Sequence, residues 1–115
     1  MDIALMGDNG FQQNRIDYIQ CDSLQHSFTI QDSTITLTKT EYRLFYPLRH
    51  GSPLTYVELA QQAYNCDIDG HVRAMIDKHI DRIRSKMRGT GVYIYCILGY
   101  GYLLLDEESL EKNAS

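Results

Sequence analysis

The run HVRAMIDKHIDRIRSKMRGT, residues 71–90, followed by VYIYCILGYGYLLL, residues 92–105, decides how this chain folds. In the first run Val72, Met75, Ile76, His79, Ile80, Ile83 and Met87 recur three and four residues apart. That spacing makes one apolar stripe and predicts a helix over 71–88. Asp69 stands where an N-cap is wanted, and Gly89 where a left-handed residue closes a helix. The opposite face carries Ala74, Asp77, Lys78, Asp81, Arg84, Ser85 and Arg88. The second run is rich in aromatic and branched residues and is broken by Gly99-Tyr100-Gly101, so it predicts a β-hairpin over 92–105.

Two shorter helices precede the long one. Thr38 with Glu41 three residues on is a capping box, in which the hydroxyl accepts from the third amide and the carboxylate reaches back. Leu44, Phe45 and Leu48 then form an apolar face ending near Gly51, and Pro47 inside it predicts a kink or an early end. Thr55 and Glu58 repeat the box ahead of a helix from about Tyr56 to Tyr64, and NCDIDG (65–70) is a polar loop. Upstream, SFTI (27–30) and TITLT (34–38) read as two strands, with DYIQC (17–21) as a third. Residues 1–15 read as a flexible arm, 16–105 as one domain, and 106–115 as a frayed acidic tail. The fold class is α+β: a winged helix-turn-helix of three helices, N-terminal antiparallel strands and a C-terminal hairpin wing.

Composition narrows the function. A chain of 115 residues has room for one core. No apolar run approaches the roughly 18–20 residues needed to span a bilayer, and the N-terminus lacks the basic start and apolar stretch of a signal peptide. Three cysteines, with no export signal, fit reduced thiols in a cytosol. The net charge of −4 hides an asymmetry, because residues 71–90 hold six cations and two acids. A basic helix in an acidic chain is compatible with nucleic-acid binding.

LTKTEYRLF (37–45), ELAQQAY (58–64), DKHIDRIRSKM (77–87) and YIYCILGYGYLL (93–104) together resemble the OmpR/PhoB-type DNA-binding domain of bacterial response regulators. The resemblance covers about residues 27–105. It implies that helix 71–88 lies in the major groove of double-stranded DNA, that hairpin 92–105 touches the adjacent minor groove, and that loop 65–70 contacts RNA polymerase. It places Arg82 and Arg84 on the basic positions of the reading helix, Tyr102 on a wing tyrosine that meets a phosphate, and Tyr64 near the DNA backbone. His79 and Asp77 fall on positions that pack or contact backbone. Leu98 stands where an arginine enters the minor groove, Cys96 where a threonine bonds phosphate, and Asp81 where a neutral or basic residue is common. The receiver domain that ordinarily precedes this fold is not among the 115 residues, so phosphorylation control is not implied. The starting Met and the absence of a linker tilt the expectation toward a complete product.

The expected DNA contacts are Arg73, Lys78, Arg82, Arg84, Lys86, Arg88, Tyr102 and Tyr64. Arginine suits bidentate base or phosphate contacts, while lysine serves as a phosphate neighbour. Asp77 and Asp81 repel phosphate unless Arg73–Asp77 and Lys78–Asp81 pairs absorb their charge. His79, on the apolar stripe, reads as a packed, hydrogen-bonded core histidine. The hairpin tyrosines read as cross-strand packing. Cys66 and His71 lack the further ligand pair that zinc needs, and no nucleophile–base set stands out. The expectation is therefore a cytoplasmic, bacterial, non-enzymatic transcription regulator without a cofactor. The rival is a winged-helix protein-interaction module using an apolar wing of Leu98, Tyr100, Leu103 and Leu104. Self-association into a homodimer fits either function.

Overall fold

The computed structural model describes residues 14–108. The chain enters through a 3-10 turn, Arg15–Tyr18. A first antiparallel sheet follows in the order β1 (Gln20–Asp22), β2 (Ser27–Ile30), β3 (Ser33–Thr36). Helix α1 (Lys39–Leu48), the two-residue strand β4 (Leu54–Thr55), α2 (Tyr56–Tyr64) and α3 (Gly70–Lys86) come next. Strands β5 (Val92–Ile97) and β6 (Gly101–Asp106) close the fold as a hairpin, in a second sheet ordered β4-β6-β5.

Local chemistry sets the helix starts. Both capping boxes form. Thr38 and Glu41 exchange bonds at 2.9 and 3.2 Å, and Thr55 and Glu58 do so at 2.8 and 3.1 Å. Asp69 caps α3 by accepting from the Val72 amide at 2.8 Å. Pro47 is the ninth of the ten residues of α1, so the helix stops at Leu48 instead of running to Gly51. Asn65 ends α2 in the left-handed conformation. Helix α3 ends at Lys86, two residues short of the expected Arg88, and Gly89 supplies the positive φ just beyond.

The core lies between the two sheets and takes one face from every helix. Phe28 of β2 stacks on Phe45 of α1, with ring centroids 3.9 Å apart. Ile76, Ile80, Ile83 and Met87 of α3 are buried with Ile94 and Leu104 of the hairpin. The apolar stripe of α3 is thus the central layer, and the opposite side of that helix is left to solvent.

Three expectations move. Residues 17–21 are not one strand, because the 3-10 turn occupies 15–18 and only Gln20–Asp22 pair with β2. Arg15 does not belong to a loose arm. Its amide and guanidinium donate to the two carboxylate oxygens of Asp106, each at 2.7 Å. Asp106 in turn is not tail but the buried last residue of β6. Burial by itself raises the pKa of this carboxyl. The amides of Arg15 and Glu108 and the Arg15 charge outweigh that and hold it below the ordinary aspartate range. The expected arm over 1–13 and the tail from 109 lie outside the described residues.

Candidate DNA-binding surface

Helix α3 divides lengthwise into two anchored flanks and one open face. On the flank toward the hairpin, Asp77 Oδ1 accepts from the hydroxyls of Tyr56 at 2.8 Å and Tyr102 at 2.6 Å. The Arg73 guanidinium lies 4.3 Å from the centre of the Tyr56 ring. Two turns on from Asp77, Arg84 donates from Nε to the Ile94 carbonyl at 2.8 Å and from a terminal nitrogen to Asp81 at 3.0 Å. The same guanidinium lies 5.0 Å from the Tyr93 ring and 5.5 Å from the Tyr102 ring. On the other flank, Lys86 Nζ reaches the buried Glu41 of α1 at 2.6 Å. Burial alone raises the Glu41 pKa, but the Lys86 and Thr38 contacts bring it below the ordinary glutamate range.

Between these flanks run Ala74, Lys78, Asp81 and Ser85, four exposed residues at spacings of four, three and four, with exposed Arg82 and Arg88 at the margins. No ion pair among the described residues engages Lys78, Arg82 or Arg88. The exposed face therefore has small residues with one lysine and one aspartate along its middle and arginines at its margins, and Asp81 is paired with Arg84. A polar cleft lined by Asp81, Arg84, Ser85, Arg88, Tyr93 and Glu107 continues this face toward β5.

The structure sorts the eight expected contacts unequally. Lys78, Arg82 and Arg88 are presented to solvent, and Arg73 is exposed while covering Tyr56. Arg84 is drawn into the hairpin, with its side chain 21% exposed. Lys86 is committed to Glu41. Tyr102 is only 4% exposed and its hydroxyl is already donated, so a phosphate contact requires it to leave Asp77. The Tyr64 hydroxyl is buried and has no hydrogen-bond partner, so it too faces away from a surface ligand. Asp77 is half-buried beneath two phenols instead of lying on the exposed face, and the Arg73–Asp77 and Lys78–Asp81 pairs are not among the ion pairs of the described residues.

His79 packs beside Tyr64, with ring centroids 6.5 Å apart. Its Nδ1 is buried without a partner, unlike the hydrogen-bonded histidine expected from the stripe. Burial, and then the Arg82 charge, lower its pKa. In the wing, Leu104 is fully buried, whereas Leu98 is 95% and Tyr100 45% exposed. Sequence reasoning missed Glu41 and Tyr56 as partners of α3. Both sit in the first turn of their helices, where a cap or a bare amphipathic pattern explains them without a tertiary contact. Among the described residues no group of three His, Cys, Asp or Glu side chains is placed to hold a metal, and no helix is long and apolar enough to cross a membrane.

Residues 32–104 match the family model described as transcriptional regulatory protein, C terminal. The chain belongs to this family. Its members are the OmpR/PhoB-type DNA-binding domains of transcription regulators, which are not a class of enzyme. No curated protein sequence matches the chain. Solved structures do. The DNA-binding domain of the response regulator AdeR, in complex with an intercistronic region, is 26% identical with a TM-score of 0.62, over 76% of this chain and 94% of that one. The DNA-binding domain of CpxR from E. coli is 23% identical with a TM-score of 0.64, over 79% and 93%. That of Bacillus subtilis CssR is 23% identical with a TM-score of 0.58, over 76% and 99%. The winged-helix architecture expected of the family is the one observed. The Arg15–Asp106 clamp lies outside the segment that this C-terminal-domain family model matches.

Proposed function

We propose that this chain is a sequence-specific regulator of transcription that binds double-stranded DNA with the exposed face of α3 in the major groove. The observation that carries the reading is the open strip Ala74–Lys78–Asp81–Ser85, bordered by Arg82 and Arg88, on a helix whose other sides are fixed to α1, α2 and the hairpin. Small residues let the helix backbone approach base edges, and cations at the margins meet the phosphates that border the groove. Asp81 suits acceptance from a cytosine amino group, and Arg84 holds it in place.

The test is fluorescence anisotropy of the protein with random-sequence duplex across a salt series. Log affinity falls linearly with log salt when phosphates are neutralised, by about 0.9 for each contact. Lys78→Ala with Arg82→Ala lowers that slope by roughly 1.8 and leaves the melting temperature unchanged. No binding at low salt refutes the reading.

Loop 65–70, with exposed Asn65, Asp67 and Asp69, is the segment proposed to meet RNA polymerase, because its acids are exposed beside the N-terminus of α3. Dimerisation on repeated half-sites completes the proposal. Sedimentation of the protein with one- and two-site duplexes tests it.

A further inference from the structure

The last cation of the reading surface does not sit on the helix that carries the others. Helix α3 ends at Lys86 with Met87 as its cap, so Arg88 belongs to the turn Arg88-Gly89-Thr90-Gly91 that joins α3 to β5. Gly89 and Gly91 hold φ angles of +83° and +89°, and glycine backbone has the widest conformational freedom. Such a turn does not fix an arginine by itself. Within it, Thr90 is buried, and its amide and hydroxyl donate to the Met87 carbonyl at 3.0 and 2.7 Å. The rest of the support comes from outside the turn. The Glu107 amide donates to the Gly91 carbonyl at 2.9 Å. A β-carbon on Gly91 would fall 2.6 Å from Arg15 Nε and 2.8 Å from its Cδ and Cζ, so the Arg15 side chain fills the space where Gly91 lacks one. Arg15 is itself fastened to both carboxylate oxygens of Asp106, and Asp106 pairs in register with Val92, the residue after Gly91.

From this we infer that Arg15 is a positioning residue for DNA binding, which fixes the α3–β5 turn and so sets where Arg88 meets a phosphate. The inference rests on the proposed DNA-binding function. It gives a part in that function to the entry segment, which lies ahead of the matched residues 32–104. An arginine on a loose glycine turn loses affinity to the ordering of turn and side chain on binding, whereas a turn held in advance does not. The Arg15 charge is committed to Asp106, so Arg15 acts through Arg88 and not as a phosphate contact of its own.

The experiment is a double-mutant cycle of Arg15→Ala and Arg88→Ala in the full chain, below the melting transition of every variant. Anisotropy with a random-sequence duplex across a salt series gives the affinities. Arg88→Ala removes one contact and lowers the slope of log affinity against log salt by about 0.9, or about eightfold in affinity between 1 M and 0.1 M salt. Arg15→Ala weakens binding about threefold or more while Arg88 is present, and changes nothing once Arg88 is alanine. Equal losses from Arg15→Ala with and without Arg88 make Arg15 an independent contact and overturn the inference. A lower melting temperature with DNA affinity unchanged makes Arg15 a clamp of the fold alone, and overturns it too. Binding of Arg88→Ala equal to wild type overturns it and leaves the DNA-binding function standing. Failure of the wild type to bind any duplex overturns both. If Arg15→Ala does not fold, Asp106→Asn takes its place in the cycle, because it releases the guanidinium while keeping the shape of the side chain, and the same outcomes decide.

Discussion

Replacing Arg84 by alanine separates the two ways in which an arginine on a reading helix can be used. If Arg84 were a surface cation, its removal would cost folding almost nothing. The structure gives it three attachments. Its Nε bond to the Ile94 carbonyl is a charge-assisted hydrogen bond at 2.8 Å from a side chain 21% exposed, worth about 1.5 kcal/mol. Its ion pair with Asp81 adds at most about 0.5 kcal/mol, because Asp81 is 72% exposed. Contact with the Tyr93 and Tyr102 rings adds about 0.5 kcal/mol at distances of 5.0 and 5.5 Å. The sum, at most about 2.5 kcal/mol, corresponds to a melting temperature roughly 10 °C lower in a domain of this size. Arg82→Ala, at an exposed position on the side of the helix away from the hairpin contacts, should shift melting by no more than about 2 °C. Thermal unfolding followed by circular dichroism, with urea titration as a second measure, distinguishes the two. Equal melting of Arg84→Ala and wild type would refute the assignment of Arg84 to the hairpin. An equal loss in Arg82→Ala would show that the division of the helix into anchored flank and open face is wrong.

Asp106→Asn should cost about 2–3 kcal/mol at pH 7, less than a fully buried pair because the Arg15 side chain is 27% exposed. The folded-state pKa of Asp106 is depressed, so its contribution is complete above the unfolded value near 4 and disappears as pH falls through the folded one. Urea midpoints of variant and wild type should therefore converge on acidification, and a gap that stays constant down to pH 2 would refute the clamp. Gly101→Ala should unfold the domain or detach β4, since the new methyl would collide with backbone and not with a yielding side chain. Amide-exchange protection at Thr55 and Tyr56 equal to wild type would refute that. Gly91→Ala places a methyl 2.6 Å from Arg15 Nε at a φ of +89°, and should lower stability by more than the roughly 1 kcal/mol of left-handed strain alone, read from the urea midpoint.

The elements that were legible in the sequence share one property: a local signal that agrees with the tertiary outcome. The stripe of α3, the two capping boxes and the Gly-Tyr-Gly turn each follow from residues close together in the chain. Both domain edges were misplaced because their structure depends on a partner about ninety residues away, whereas the first strand was started too early because a 3-10 turn capped by Asn14 takes its first residues. Arg15 and Asp106 look like arm and tail until the ion pair joins them. The same limit governs the site. The sequence identifies which side chains of α3 are cationic, but an arginine drawn into the hairpin and one facing solvent have the same local pattern. Arg84 and Arg82 differ only in that one lies above Ile94 and the other does not.

Anchoring half of the cations to protein makes the reading face narrower than the charge count suggests, and it also fixes what that face is attached to. Lys86–Glu41 binds α3 to α1, Asp77 binds it to α2 and β6, and Arg84 binds it to β5. These contacts lie on two sides of one helix, so the helix cannot roll about its axis without breaking a charged or buried hydrogen bond. A roll of one residue, 100°, would bring Asp77 and Arg84 toward the position now held by Lys78 and Ser85 and would turn the basic strip away. The cations that do not face solvent thereby determine which ones do. It follows that Asp77→Asn, which keeps the shape but weakens both phenol bonds, should lower DNA affinity even though it removes a negative charge from the helix. A gain in affinity would mean that simple repulsion, and not the orientation of α3, is what Asp77 contributes.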